Sequence, residues 1–121
     1  MAIIKNDEPF YQISQVAKLL GITSDRLRTY EEEGLIRPHR TSNSQTGKRL
    51  YSLNEIEWLK IIRELIKLGV TIPLIRILLY SDIKYNTKSL REKDKEIVNL
   101  IKELKLHPIA KKIFSCKIHL G

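Results

Sequence analysis

Cysteine is nearly absent: Cys116 stands alone, so no intramolecular disulfide can form and a reducing compartment is expected. No apolar run approaches the roughly 20 residues that a membrane helix requires. The opening MAIIKNDEPFYQIS lacks a basic region leading into an apolar stretch and a small-residue cleavage site. It therefore does not read as a signal peptide, and a cytoplasmic protein without membrane attachment is expected. No repeat and no low-complexity tract occurs. Catalytic signatures are missing too: no glycine-rich phosphate loop, no nucleophile motif, no acid pair suited to a cleft. Enzymatic chemistry and a cofactor are not expected.

What is present is positive charge. Lysine and arginine number 22 against 14 acidic residues, for a formal charge of +8, which favours polyanionic partners over acidic substrates. With 42% hydrophobic content, 121 residues suffice for one small, mainly helical domain and an appended element, not for a large enclosed cavity.

Capping signals divide the chain. Ser14 is placed to cap a helix over Gln15–Leu20, buried through Val16, Ala17 and Leu20 and ended by Gly21. Thr23 caps a second helix, Ser24–Glu33, with Asp25 in its favourable first turn. Two short helices joined by Gly21, Ile22 and Thr23 form a helix-turn-helix. After Gly34 the pattern reads as two short strands, Leu35–Arg37 and Arg49–Tyr51, joined by the polar loop TSNSQTGK into a projecting hairpin, or wing. Ser52-Leu53-Asn54-Glu55 is a capping box that opens a long helix. Its apolar stripe runs through Ile56, Leu59, Ile62, Leu65 and Ile66 to Leu68. Thr71 caps another helix, buried through Ile75, Leu78 and Leu79 and fading near Ser81. The last helix is expected over Leu90–Leu106, where Leu90, Ile97 and Leu104 recur every seven residues, with Ile101 and Asp94 at the companion position. The sequence thus divides into residues 11–80 and 81–121.

On a wheel of about 100° per residue, Leu27 of the second helix faces the core, flanked by Ser24, Glu31, Thr23 and Tyr30. The opposite side presents Asp25, Arg26, Arg28 and Thr29. Guanidinium groups there suit guanine edges or phosphates, and Thr29 offers a hydroxyl and a methyl to base edges. Tyr30 sits at the boundary, where its ring packs and its hydroxyl is expected to reach a phosphate. An ordinary solvated charged face explains that helix equally well. The wing decides between them, because Arg37, Arg40, Lys48 and Arg49 occur between Gly34 and Tyr51 with no acidic residue. Glu31, Glu32 and Glu33 are expected to face away from nucleic acid or to pair with neighbouring cations.

The segments YQISQVAKLLGITSDRLRTYEEEGLIRPHR, KRLYS and LKIIRELIKLGVTIPLIRILL resemble the DNA-binding domain of MerR-family regulators over about residues 11–80. DEPFYQIS and LRTYEEEGLI are closest to its heat-shock repressor (HspR-like) branch. The resemblance implies a winged helix-turn-helix regulator that binds inverted repeats as a homodimer, paired through a C-terminal antiparallel coiled coil. Residues 90–106 are the matching element here. It implies backbone contacts for Arg28 and Tyr30 and the helix-start role for Thr23. It also makes Arg40, Arg49 and Tyr51 the entering and closing residues of the wing. Two features depart from the pattern: Thr29 replaces a common aromatic residue, and the wing loop is longer. Paired effector cysteines are also missing, so sensing of a metal or drug is not expected.

Double-stranded DNA is therefore the expected partner, read by Thr23, Arg26, Arg28, Thr29, Tyr30, Arg40, Lys48, Arg49 and Tyr51. A repressor on a pseudo-palindromic operator is the leading reading. The alternative is an excisionase-like or architectural protein assembling cooperatively along DNA, and a third class is a protein-interaction adaptor. His107, Cys116 and His119 are too few and too scattered for a zinc site. His39 reads as a phosphate neighbour rather than a base. Pro108 ends the last helix, and the basic tail that follows is expected to pack on a dimer partner or another protein.

Overall fold

Local capping chemistry begins four of the helices in the computed structural model, which describes residues 5–40, 48–81 and 87–114. Strand β1 (Tyr11–Gln12) leads into α1 (Ile13–Leu20). The Gln12 amide donates to Gln15 Oε1 at 2.8 Å, so the cap is Gln12, two residues before the Ser14 expected from sequence. Gly21 takes φ 69, and its amide bonds back to the Lys18 carbonyl, which closes α1. Helix α2 (Ser24–Glu32) is capped by Thr23, whose hydroxyl accepts from the Arg26 amide at 3.1 Å.

The wing differs from expectation in its first strand. Strand β2 is His39–Arg40 rather than Leu35–Arg37, and β3 is Arg49–Tyr51 as expected. The reason lies in Leu35. Its amide donates to the Tyr30 carbonyl at 2.9 Å and its own carbonyl accepts from Trp58 Nε1 at 2.6 Å. Both backbone groups are thereby engaged, and Pro38 lacks an amide to donate, so a ladder can begin only beyond it. Strand β3 is central: it pairs antiparallel with β2 (Arg40 opposite Arg49) and with β1 (Tyr11 opposite Tyr51). The strand contributed by the N-terminal segment was not anticipated. It gives the short wing a third member, without which two strands are marginal.

Helix α3 (Leu53–Lys67) opens with the expected box. The Ser52 amide donates to Glu55 Oε1 at 2.9 Å, and the Glu55 amide donates to Ser52 Oγ at 3.2 Å. Helix α4 (Ile72–Tyr80) is capped by Thr71, with Pro73 in its first turn. A 3-10 turn (Thr87–Ser89) precedes α5 (Glu92–Leu106) and α6 (Pro108–Phe114).

The compact units are residues 1–59 and 60–121. The first has its core in Val16, Ala17, Leu27, Tyr30, Leu35, Ile36, Tyr51, Ile56, Trp58 and Leu59. The second buries Ile62, Leu65, Val70, Ile75 and Leu79 together with Val98, Ile101 and Leu104, and α5 packs on both α4 and α6. Lys105 Nζ donates to the Ser81 carbonyl at the end of α4.

One expectation for the C-terminal part holds and one is corrected. Helix α5 ends at Leu106 as expected, though it starts at Glu92 rather than Leu90, and Pro108 begins the separate helix α6, a position where its missing amide is no loss. The apolar side of the tail does not await a partner: Ile109, Ala110 and Ile113 are buried within the same chain. Of the seven-residue seam, Ile101 and Leu104 are buried in this fold, whereas Leu90, Asp94 and Ile97 remain half-buried. His107 Nδ1 accepts from the Ile109 amide at 3.2 Å. Cys116 and His119 lie outside the described residues, so the metal trio weighed from sequence cannot be placed. The loop TSNSQTG of the wing also lies outside them.

Candidate nucleic-acid interface

Leu27 and Tyr30 bury one side of α2, which fixes what the other side shows. Arg26 and Thr29 are exposed and Arg28 is partly exposed. Arg28 Nη1 holds Asp25 Oδ1 at 2.6 Å on the open surface, where such a pair contributes little to stability and a phosphate can compete for the guanidinium. Arg26 makes no side-chain bond among the described residues. The Thr29 hydroxyl donates to the Asp25 carbonyl at 3.1 Å, so its methyl group and oxygen lone pairs, not its proton, face outward. Thr23 is used as the cap and fixes the backbone of the first turn.

The two tyrosines are not where the sequence reading put them. Tyr30 and Tyr51 are both 0% exposed. Each packs in the core of the first unit, where Tyr30 holds α2 and Tyr51 holds β3. The Tyr51 hydroxyl is buried without a hydrogen-bond partner among the described residues. Burial, reinforced by the Glu31 carboxylate, pushes it up to about 12.

Arg40 and Arg49 are brought together by the β2–β3 register and meet a residue of α2. Arg40 Nη2 donates to Glu31 Oε2 at 2.9 Å and Arg49 Nε donates to Glu31 Oε1 at 2.6 Å. The glutamate cluster of the sequence thus splits: Glu31 pairs with wing cations, Glu32 is exposed, and Glu33 forms the C-cap. Arg37 and Lys48 are exposed on the wing. His39 is partly exposed, and its Nε2 lies 3.7 Å from Oε1 of the buried Glu55. Sequence reasoning missed Trp58 altogether; of the two outcomes expected for Glu31, pairing with neighbouring cations is the one found. An acid flanking Leu27 at the edge of the buried face has to find a cation.

A helix-turn-helix, a three-stranded wing and a basic outward helix face therefore occur in one unit. The sequence profile described as MerR HTH family regulatory protein matches residues 11–82, more than half of the chain. The chain belongs to the MerR family. It is accordingly a DNA-binding transcriptional regulator and not an enzyme. It is 29% identical over 94 residues to the HTH-type transcriptional regulator GlnR of Bacillus anthracis, covering 77% of this chain and 70% of that protein. To CueR of Yersinia pestis it is 43% identical over 68 residues, covering 55% of this chain and 47% of that protein. A crystal structure of a MerR-family regulator from Bacillus cereus superposes with a TM-score of 0.53 at 22% identity, covering 91% of this chain and 76% of that one, a likeness of fold alone. Among the described residues of this MerR-family chain, no helix is long and apolar enough to cross a membrane.

Proposed function

We propose that this regulator is a cytoplasmic repressor that binds a pseudo-palindromic operator as a homodimer. Residues 11–80 form the part that reads DNA, and residues 81–121 the appended part. The observation that carries the reading is the junction of α2 with the wing at Glu31, which sets Arg40 and Arg49 beside the helix that exposes Arg26, Arg28 and Thr29. Arg28, Arg40, Arg49 and Lys48 are assigned to phosphates, while Arg26 and the Thr29 methyl are assigned to base edges. The resemblance of DEPFYQIS and LRTYEEEGLI to heat-shock repressors supports repression. Residues 90–106 are proposed to carry dimerisation. Their support is the half-buried row Leu90, Asp94 and Ile97, which with Leu78 lines a cleft of about 160 Å³.

Selection of bound sequences from random duplexes, followed by footprinting, tests the reading. The expected result is one symmetric protected site whose affinity falls steeply with salt. An extended cooperative array points instead to the excisionase-like alternative. Arg28→Ala should weaken all sites alike, whereas Arg26→Ala should alter sequence preference. If Arg28→Ala binds as well as the parent, α2 is not the recognition helix.

A further inference from the structure

We propose that Glu31 is the residue that positions the wing arginines for DNA, so that an acid is required for binding a polyanion. The inference rests on the DNA-binding reading above. In the antiparallel pair β2–β3, Arg40 stands directly opposite Arg49. Like charges in that arrangement repel and push the two strands apart. The strands have two and three residues, too few for their ladder alone to impose a geometry on long side chains.

The Glu31 carboxylate resolves the conflict by giving one oxygen to each guanidinium, at 2.9 Å to Arg40 and 2.6 Å to Arg49. The three side chains are 23–28% exposed, so these charge-assisted bonds are less screened than a surface pair. On the wheel Glu31 lies about 40° from Leu27, on the same side as Arg28, so it turns the wing toward the flank of α2 that carries Arg28. A guanidinium carries five N–H donors in a fixed plane. Holding one of them on Glu31 fixes the plane of the guanidinium and so the direction in which its other donors point. Glu31 acts on DNA only through Arg40 and Arg49, and it joins the wing to the recognition helix as one piece.

The test turns on a sign. Glu31→Gln removes a negative charge and raises the formal charge above +8. A bystander carboxylate, once removed, would leave DNA bound more tightly and with a steeper salt dependence. A positioning carboxylate gives the opposite: affinity down about tenfold at low salt, with the slope of log affinity against log salt reduced by about one to two. Glu31→Asp keeps the charge but is too short to span both arginines, and it should weaken binding in the same direction. A DNA-free measurement separates this inference from the function it rests on. Exchange of the Arg40 Nη2 and Arg49 Nε protons with water, followed by NMR, should be slow in the parent and faster in both variants, with Arg26 unchanged. If neither parent nor variants bind DNA while the exchange behaves as expected, the functional reading fails and the role of Glu31 in the free protein stands. If both folded variants bind as tightly as the parent or tighter, or if the arginine protons exchange alike in all three, Glu31 positions nothing.

Discussion

Replacing Tyr51 by phenylalanine should stabilise the protein, although it deletes a polar group at a position that the sequence places among the expected DNA-binding residues. The ring is 0% exposed and its hydroxyl finds no partner among the described residues. A buried hydroxyl without a hydrogen bond is destabilising because it has lost water and gained nothing. Tyr51→Phe keeps the ring and removes that burden, for an expected gain of about 1–2 kcal/mol at pH 7. For a domain of about 60–100 residues each kcal/mol corresponds to roughly 4–8 °C in melting temperature. A second signature appears in alkali. In the fold the hydroxyl is raised from 10.0 to about 12, so the folded state holds the proton more tightly than the unfolded chain does. That contribution is complete below pH 10 and is lost as pH rises through 12. Across that window the parent should lose about 2–3 kcal/mol that Tyr51→Phe does not lose, all other tyrosines being common to both. Urea unfolding followed by circular dichroism from pH 7 to pH 11.5 measures both effects. A Tyr51→Phe protein at least 1 kcal/mol less stable at pH 7 would show that the hydroxyl holds a bond. An unchanged stability with tenfold weaker DNA binding would return Tyr51 to the interface.

Trp58→Phe should cost about 2–4 kcal/mol, because the Leu35 carbonyl loses its indole donor and part of the ring volume is left empty; chemical denaturation checks it, and a loss under 0.5 kcal/mol contradicts the account of the wing's first strand. Thr23→Ala removes the cap of α2 and should lower stability by about 1 kcal/mol, with a smaller loss of DNA affinity than Arg28→Ala gives. Ile101→Ala should destabilise the chain by about 2–5 kcal/mol, since that side chain is 1% exposed within one chain; a folded, equally stable variant that merely loses dimers would place Ile101 at the seam between copies instead. Ile97→Asp should shift the mass in solution toward the monomer with little effect on folding, because Ile97 is half-buried.

Three helix starts were readable in the sequence because a cap is a conversation within four residues. Thr23 with Arg26, Ser52 with Glu55 and Thr71 with Leu74 all make the bond that their spacing predicts. The outward face of α2 was equally readable, since Leu27 fixes the phase of the helix. What escaped were bonds between distant residues. Trp58 takes the Leu35 carbonyl from 23 positions away and so moves the wing strand past Pro38. Arg49 reaches Glu31 across 18 positions. Tyr30 and Tyr51 have amphipathic side chains whose depth no local pattern sets. The basic tail looked unpartnered because the face of α5 that receives it is defined only once the chain turns back at His107.

The central position of β3 also carries a consequence for the order of assembly. Helices α1 and α2 meet across a three-residue turn, and α4, α5 and α6 pack as successive neighbours in the chain. Such contacts close quickly, because little chain must be gathered before they form. Tyr11 and Tyr51 are different: the ladder that joins them pairs residues 40 positions apart in the chain. The wing is thus expected to be the last part of the first unit to consolidate and the first to open, so that the newest structure in each folding event is the one proposed to hold DNA.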